Sequence, residues 1–204
     1  MRTHKLLLSF FILAFGWLMI GTSYAGSDDP VEMLQNVANN MIAGLKTNQA
    51  TLKTKPAVVY SLAFKYVVPH ADLAEMSKRV LPPDTWNNAT SAQRTQFQKE
   101  FTKTLIRTYA SALTSYQDQT IKFFPIRGSY GDSVEVRSII SGSATQPINV
   151  TYRLVRKDGG SWHLYDMSVE GVSMLQSFRS QFSGMLSSGS MDQLLQRMSD
   201  HNRG

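Results

Sequence analysis

The chain of 204 residues contains no cysteine. That removes disulfides, cysteine nucleophiles, thiolate metal sites, iron–sulfur clusters and a lipobox anchor from consideration. Histidine is scarce as well, 4 in all, and only His70, His163 and His201 lie beyond the N-terminal apolar segment. No serine sits in a G-x-S-x-G turn for a histidine to activate, and there is no H-E-x-x-H, P-loop or dinucleotide fingerprint. No Lys/Arg block alternates with aromatics, so nucleic acid is not an expected partner, and no cofactor is expected. After residue 20 no stretch is long and apolar enough to span a bilayer. Internal repeats and low-complexity segments are missing too.

What is present begins with a leader in three zones. Arg2, His4 and Lys5 are basic, Leu6 to Ile20 is apolar but short of the roughly 20 residues a membrane span needs, and Ser23-Tyr24-Ala25 places small residues at −3 and −1. Cleavage after Ala25 and export are expected, with residues 26–204 forming one domain. The net charge of +6, from 21 basic and 15 acidic residues, falls to +4 when Arg2 and Lys5 leave with the leader. The absence of cysteine suits an oxidising compartment without requiring one.

The rest divides by period. Asp28-Asp29-Pro30 opens a helix carrying Val31, Leu34, Val37, Met41, Ile42 and Leu45 at helical spacing. After a polar break at Lys46–Lys55, a second helix is expected over Pro56–Val68 and a third over Ala71–Leu81, closed by Pro82-Pro83. Thr90-Ser91-Ala92-Gln93 is a capping box. It opens the clearest helix of the chain, with Phe97, Phe101, Leu105, Tyr109, Leu113 and Tyr116 in one stripe. The period then falls to 2. Strands are expected at Gln119–Ile126, Ser133–Ser141, Ile148–Leu154 and Trp162–Val169, with Lys157-Asp158-Gly159-Gly160 turning the third into the fourth. Met174 to Leu186 is helical again, and Ser190 caps a last short helix with Leu194, Leu195 and Met198, fraying after about residue 199. Helices, then consecutive strands, then helices indicate an α+β fold, a four-stranded antiparallel sheet with N- and C-terminal helices packed on one face.

Two polar pairs invite a chemical reading. His70-Ala71-Asp72 could approach a metal, but Asp72 suits the start of a helix equally well. Asp166 and Glu170 could form an acid/base pair, yet four residues apart on an extended strand they stand roughly 13 Å apart, too far for a glycosidase pair. Hydrogen bonds fixing a strand-to-helix corner explain them better. The large apolar supply stands out instead, with 10 Met, 10 Phe, 8 Tyr and 3 Trp. Methionine suits adaptable apolar surfaces, and the pattern points to an apolar interior.

The segment Trp162-His163-Leu164-Tyr165-Asp166-Met167-Ser168-Val169-Glu170-Gly171-Val172-Ser173-Met174, followed by Phe178-Arg179-Ser180-Gln181-Phe182, resembles the signature of the MlaC family. Val67-Val68-Pro69-His70-Ala71-Asp72 with Val80, Leu81 and Trp86, and Gln93-Arg94 through Phe97, Phe101, Leu105 and Tyr109, agree in order and spacing. Pro82-Pro83 departs from the glycine expected after the leucine. The resemblance covers nearly the whole mature chain. It implies a periplasmic phospholipid carrier whose apolar pocket holds acyl chains. Its implied partners are an outer-membrane lipoprotein–porin complex and an inner-membrane MCE-type ABC transporter. Within that reading the pocket residues are Val172 first, then Val150, Tyr152, Leu154, Tyr165, Met167 and Val169 from the strands, with Phe101, Leu105 and Tyr109 closing the other wall. Arg94 is the candidate contact for the partner complexes. An enzyme using the same pocket is the alternative, and a solid envelope scaffold the third reading.

Overall fold

The computed structural model describes residues 29–203 except 53, 56, 143, 144, 158 and 159. The expected leader and the Asp158-Gly159 step of the expected turn lie outside the described residues. The fold is α+β, as the period changes predict.

Helix α1 (Pro30–Thr47) starts where Asp29 accepts hydrogen bonds from the backbone N–H of Val31 at 2.7 Å and of Glu32 at 3.4 Å. These satisfy donors that a helix N-terminus otherwise leaves bare. Helix α2 (Ala57–Tyr66) leads through a 3-10 turn, Val68–His70, into α3 (Leu73–Val80), which Asp72 caps through the Glu75 N–H at 2.9 Å. The Pro82-Pro83 pair does more than end α3. With Pro82 at the cap and Pro83 in the first turn it opens a further helix, α4 (Pro83–Asn88), because proline is tolerated where no helical N–H partner is required.

Helix α5 (Ser91–Thr114) is opened by the predicted capping box: the Gln93 N–H donates to Thr90 Oγ1 at 3.1 Å and the Thr90 N–H to Gln93 Oε1 at 2.9 Å. The meander is β1 (Thr120–Phe123), β2 (Ser133–Gly142), β3 (Thr145–Arg156), β4 (Trp162–Val169) and β5 (Val172–Ser173), antiparallel throughout and neighbouring in chain order. Strand β1 stops short of the expected Ile126, and Pro125 just beyond it has no N–H to donate to the ladder.

The sheet thus has five strands rather than four. Glu170 (φ 48°) and Gly171 (φ 80°) form a two-residue hairpin turn between Val169 and Val172. Of the turns favoured in two-residue hairpins, type I′ needs positive φ at both central residues. Glycine reaches it freely, whereas Glu170 is held there by its N–H donating to Asn149 O at 2.9 Å and by its Oε1 accepting the Asn149 N–H. A two-residue strand is too short to carry a readable alternation, so the sequence suggested only a corner.

Helix α6 (Met174–Leu186) follows at once, with Ser173 Oγ capping Gln176 at 3.1 Å. Helix α7 (Met191–Arg203) then runs past the expected fraying point. Its end is tied down by Asn202 Nδ2, which donates to Glu100 O at 2.9 Å and Glu100 Oε2 at 2.8 Å. No helix among the described residues is long and apolar enough to cross a membrane.

Three buried clusters form the interior. In the first, α3, α5, α6 and α7 enclose Phe97, Phe101, Phe178 and Phe182, whose rings meet with centroids 5.4–5.8 Å apart. The second lies between α1 and the sheet, around Met33, Leu34, Val136, Val150 and Leu154. The third joins the second half of α1 to α2 through Met41, Leu45, Leu52, Val59 and Leu62. A domain of this size usually has one contiguous core. The division leaves half-buried apolar side chains along the margins of each cluster.

Candidate functional site: an apolar row that runs out to solvent

Strand alternation places Val150, Tyr152 and Leu154 on the face of the sheet that meets α1. Cross-strand partners share a face, so the register defines a row over all five strands: Phe123 opposite Ser138, Ser138 opposite Val150, Val150 opposite Val169, and Val169 opposite Val172. Burial falls off along it. Val150 is 2% exposed, Val169 is half-buried, and Val172 is 65% exposed. An apolar lane therefore leads from the sheet's core to solvent at its β5 edge.

The neighbouring rows are apolar too, with Val136, Tyr152 and Met167 in one and Val134, Leu154 and Leu164 in the next. Ile140, Ile148, Leu164 and Met167 are half-buried against the cluster below them. A buried polar pair interrupts the surface, Ser138 Oγ to Tyr152 Oη at 3.2 Å. Burial raises the Tyr152 phenol above its ordinary pKa, and the Ser138 bond only partly opposes this. It stays a neutral hydroxyl.

The sequence-predicted residues divide among these regions. Val150, Tyr152 and Leu154 lie in the sheet cluster, and Met167 touches both the sheet and the helical clusters. Leu105, Tyr109 and Tyr165 are half-buried at the margin of the helical cluster. Burial and the nearby Asp166 carboxylate raise the Tyr109 phenol, which sets α5 close to β4. Phe101 is fully buried among the other three phenylalanines and belongs to solid packing. Val172, expected as the first pocket residue, is instead the exposed end of the lane, because the Glu170-Gly171 turn carries it to the sheet edge.

Arg94 is also placed differently from expectation. Its Nε donates to Trp86 O at 3.0 Å, its Nη2 to Asn87 O at 3.0 Å, and its guanidinium lies 5.2 Å from the Trp86 ring centroid. It closes the C-terminal end of α4 rather than standing free as a surface cation.

Sequence reading missed Met33, Leu34, Phe123, Ile140 and Ile148 as parts of this surface. Leu34 stands in the α1 stripe and Phe123, Ile140 and Ile148 in expected strands, but only the register and the packing of α1 on the sheet show that they join one surface.

The two polar pairs have structural partners. Asp166 Oδ1 accepts from the N–H groups of Met167 at 2.8 Å and Leu175 at 3.1 Å, while Oδ2 accepts from Arg153 Nη1 at 2.8 Å and Ser173 Oγ at 2.7 Å. A carboxylate so engaged fixes the corner between β4 and α6. Asp72 caps α3 and pairs with Lys157 Nζ at 2.5 Å.

Fold and site together define an α+β domain whose apolar interior reaches solvent along one sheet row. The family profile described as MlaC protein matches residues 35–200. The chain belongs to the MlaC family.

Among its relatives is the intermembrane phospholipid transport system binding protein MlaC of Haemophilus influenzae. It is 28% identical over 197 residues, covering 94% of this chain and 89% of the relative. Toluene tolerance protein ttg2D of Pseudomonas putida is 26% identical over 155 residues, covering 75% of this chain and 71% of its own. In solved structures the fold is matched by a phospholipid-binding protein from Ralstonia solanacearum in complex with a phospholipid. The TM-score is 0.78 at 26% identity, over 86% of this chain and 97% of that one.

Proposed function

We propose that this chain is a periplasmic phospholipid carrier without catalytic activity. It moves lipid between an outer-membrane lipoprotein–porin complex and an inner-membrane MCE-type ABC transporter, and so maintains outer-membrane lipid asymmetry. The observation that carries this reading is the row from Val150 through Val169 to the exposed Val172. It gives an acyl chain a continuous apolar path from water to the interior. The phospholipid named for the Ralstonia solanacearum protein and the transport role named for the Haemophilus influenzae relative support it. The basic, apolar and small-residue zones of the leader support export.

The energetics suit a carrier. Two acyl chains of about 30 methylenes in all, at roughly 0.8 kcal/mol each, cannot cross an aqueous compartment unaided. An apolar interior replaces bilayer contacts with similar ones, so transfer between membrane and protein is nearly balanced. Such a protein needs a shaped interior and no reacting group. A catalytic role for Asp166 is disfavoured by its four donors, which engage both oxygens in fixing the corner between β4 and α6.

The test is native mass spectrometry of the purified protein followed by solvent extraction, on the wild type and on Val172→Glu. The wild type is expected to carry stoichiometric phospholipid. The variant should fold normally, because Val172 is largely exposed, yet hold several-fold less lipid with a carboxylate at the mouth of the lane. Full lipid load in the variant would remove Val172 from the path. A wild type that neither holds lipid nor takes it from vesicles would end the carrier reading.

A further inference from the structure

Where β4 and the start of α6 meet α3, next to Val172 at the outer end of the apolar row, cations from three elements converge. Lys78 and Arg79 from the last turn of α3, Arg153 from β3 and Arg179 from α6 line a cleft of about 430 Å³ with Tyr165 and Asp166. That volume lies within the range of small-ligand sites. Two of the cations are held rigidly. Arg153 Nε bonds Glu135 at 2.8 Å and its Nη1 bonds Asp166 at 2.8 Å and Ser168 Oγ at 3.0 Å. Arg79 pairs with Glu75 at 2.8 Å and lies 4.6 Å from the Tyr165 ring centroid.

The other two are unmatched. Lys78 and Arg179 are exposed and have no carboxylate partner among the described residues. Asp166, the one carboxylate lining the cleft, is already saturated by its four donors, two of them from Ser173 and Leu175 at the start of α6. It therefore cannot neutralise Lys78 or Arg179 as well. The cleft presents uncompensated positive charge from several directions. A planar carboxylate satisfies one guanidinium fork, whereas a tetrahedral phosphate offers oxygens to several cations at once. Leu81 and Leu175, which also line the cleft, are part of the buried helical cluster, so polar and apolar surfaces meet there.

We propose that this cleft is a phosphate-binding site and that it receives the headgroup phosphate of a glycerophospholipid, with Lys78 and Arg179 supplying the recognising charge. The headgroup assignment rests on the carrier reading; the phosphate chemistry does not. The shared chemistry could also be met by free phosphate, and the experiment separates the two.

Backbone amide NMR of the purified full-length mature protein is followed during titration with inorganic phosphate and, separately, with soluble dihexanoyl phosphatidylglycerol. Uptake of long-chain phosphatidylglycerol from vesicles is measured alongside. Both probes are expected to shift the amides of Tyr165 and Gln176. The variant Lys78→Gln/Arg179→Gln, which changes only exposed side chains, should weaken both by about tenfold. Single variants should fall between. Phosphate binding without any response to the short-chain lipid would overturn the headgroup assignment in favour of free phosphate. Vesicle uptake with no shift at these amides for either probe would overturn the site while leaving the carrier reading standing. Phosphate binding with no lipid uptake of any kind would overturn the carrier reading and the headgroup assignment with it. Equal binding by the wild type and the double variant would remove Lys78 and Arg179 from the site.

Discussion

The helical cluster and the sheet cluster draw on the same residue types and pack them differently. Around Phe97, Phe101, Phe178 and Phe182 four helices close on every side, and each ring meets at least two others of the set. On the sheet, α1 is the helix whose residues complete the buried cluster, and half-buried residues such as Ile140, Ile148, Leu164 and Met167 surround a small buried centre. Close-packed interiors resist any change of volume. A surface covered on one flank only can admit a guest without breaking its own packing. Apolar composition alone therefore does not mark a binding surface. Incomplete cover by neighbouring elements does.

The sharpest break of that comparison is Phe101→Ala. It removes a fully buried ring from the aromatic cluster, and a loss of about 3–5 kcal/mol in denaturant unfolding is expected. Variant protein that remains folded should keep its lipid. Lost lipid at unchanged stability would move Phe101 from solid packing to the lane.

The opposite behaviour is expected on the sheet. Ile148→Ala, at a half-buried position, should cost about 1–2 kcal/mol, below the usual range for a fully buried isoleucine, while lipid load per folded molecule falls. A stability loss as large as that of Phe101→Ala, with lipid retained, would make the two regions alike.

The smallest effect is at the seam. Asp72 starts α3, on the helical side, and pairs with Lys157 beyond β3, on the sheet side. Burial pushes its carboxyl up, but the Lys157 bond, the Glu75 N–H and the positive charge of Lys157 outweigh it, leaving the pKa below its ordinary value. A lowered folded pKa contributes stability that is present above the unfolded value and lost as pH falls through the folded one. Lys157 is largely exposed, so water screens the pair and its share stays below about 1 kcal/mol. Asp72→Asn should be slightly less stable near neutral pH and show a shallower loss of stability below about pH 4. An unchanged acid limb in thermal unfolding would mean that the pair does not couple the two regions.

How much of this was legible depended on whether its cause is local. The capping box at Thr90–Gln93, the Asp29 cap, the change of period after Tyr116 and the inward set Val150, Tyr152 and Leu154 all rest on neighbours within a few residues, and the chain states them directly. Helix α4 was hidden because Pro82-Pro83 reads as a stop as readily as a start. Strand β5 was hidden because its existence depends on Glu170 holding a positive φ with help from Asn149, 21 positions earlier.

For the site, the sequence named the apolar residues without ranking them. Phe101 and Leu105 stand one helical turn apart in the same stripe, yet one is sealed among phenylalanines and the other is half-buried at a margin. Arg94 has the composition of a surface contact and the geometry of a helix cap. The basic cleft gathers Lys78 and Arg79 with Arg153 and Arg179 from three distant parts of the chain, and no local pattern links them.

The sequence by itself determined the longer elements, the α+β order, the inward positions Val150, Tyr152 and Leu154, and the family. Each follows from periodicity, capping chemistry or contiguous motifs, which act over one or two turns of chain. Only the tertiary structure decided which apolar residues are sealed and which run out to solvent at Val172, and where charge is left unmatched. Cover and charge balance depend on which distant elements pack together, and those contacts are set by the register of the sheet and the closure of the helices over it.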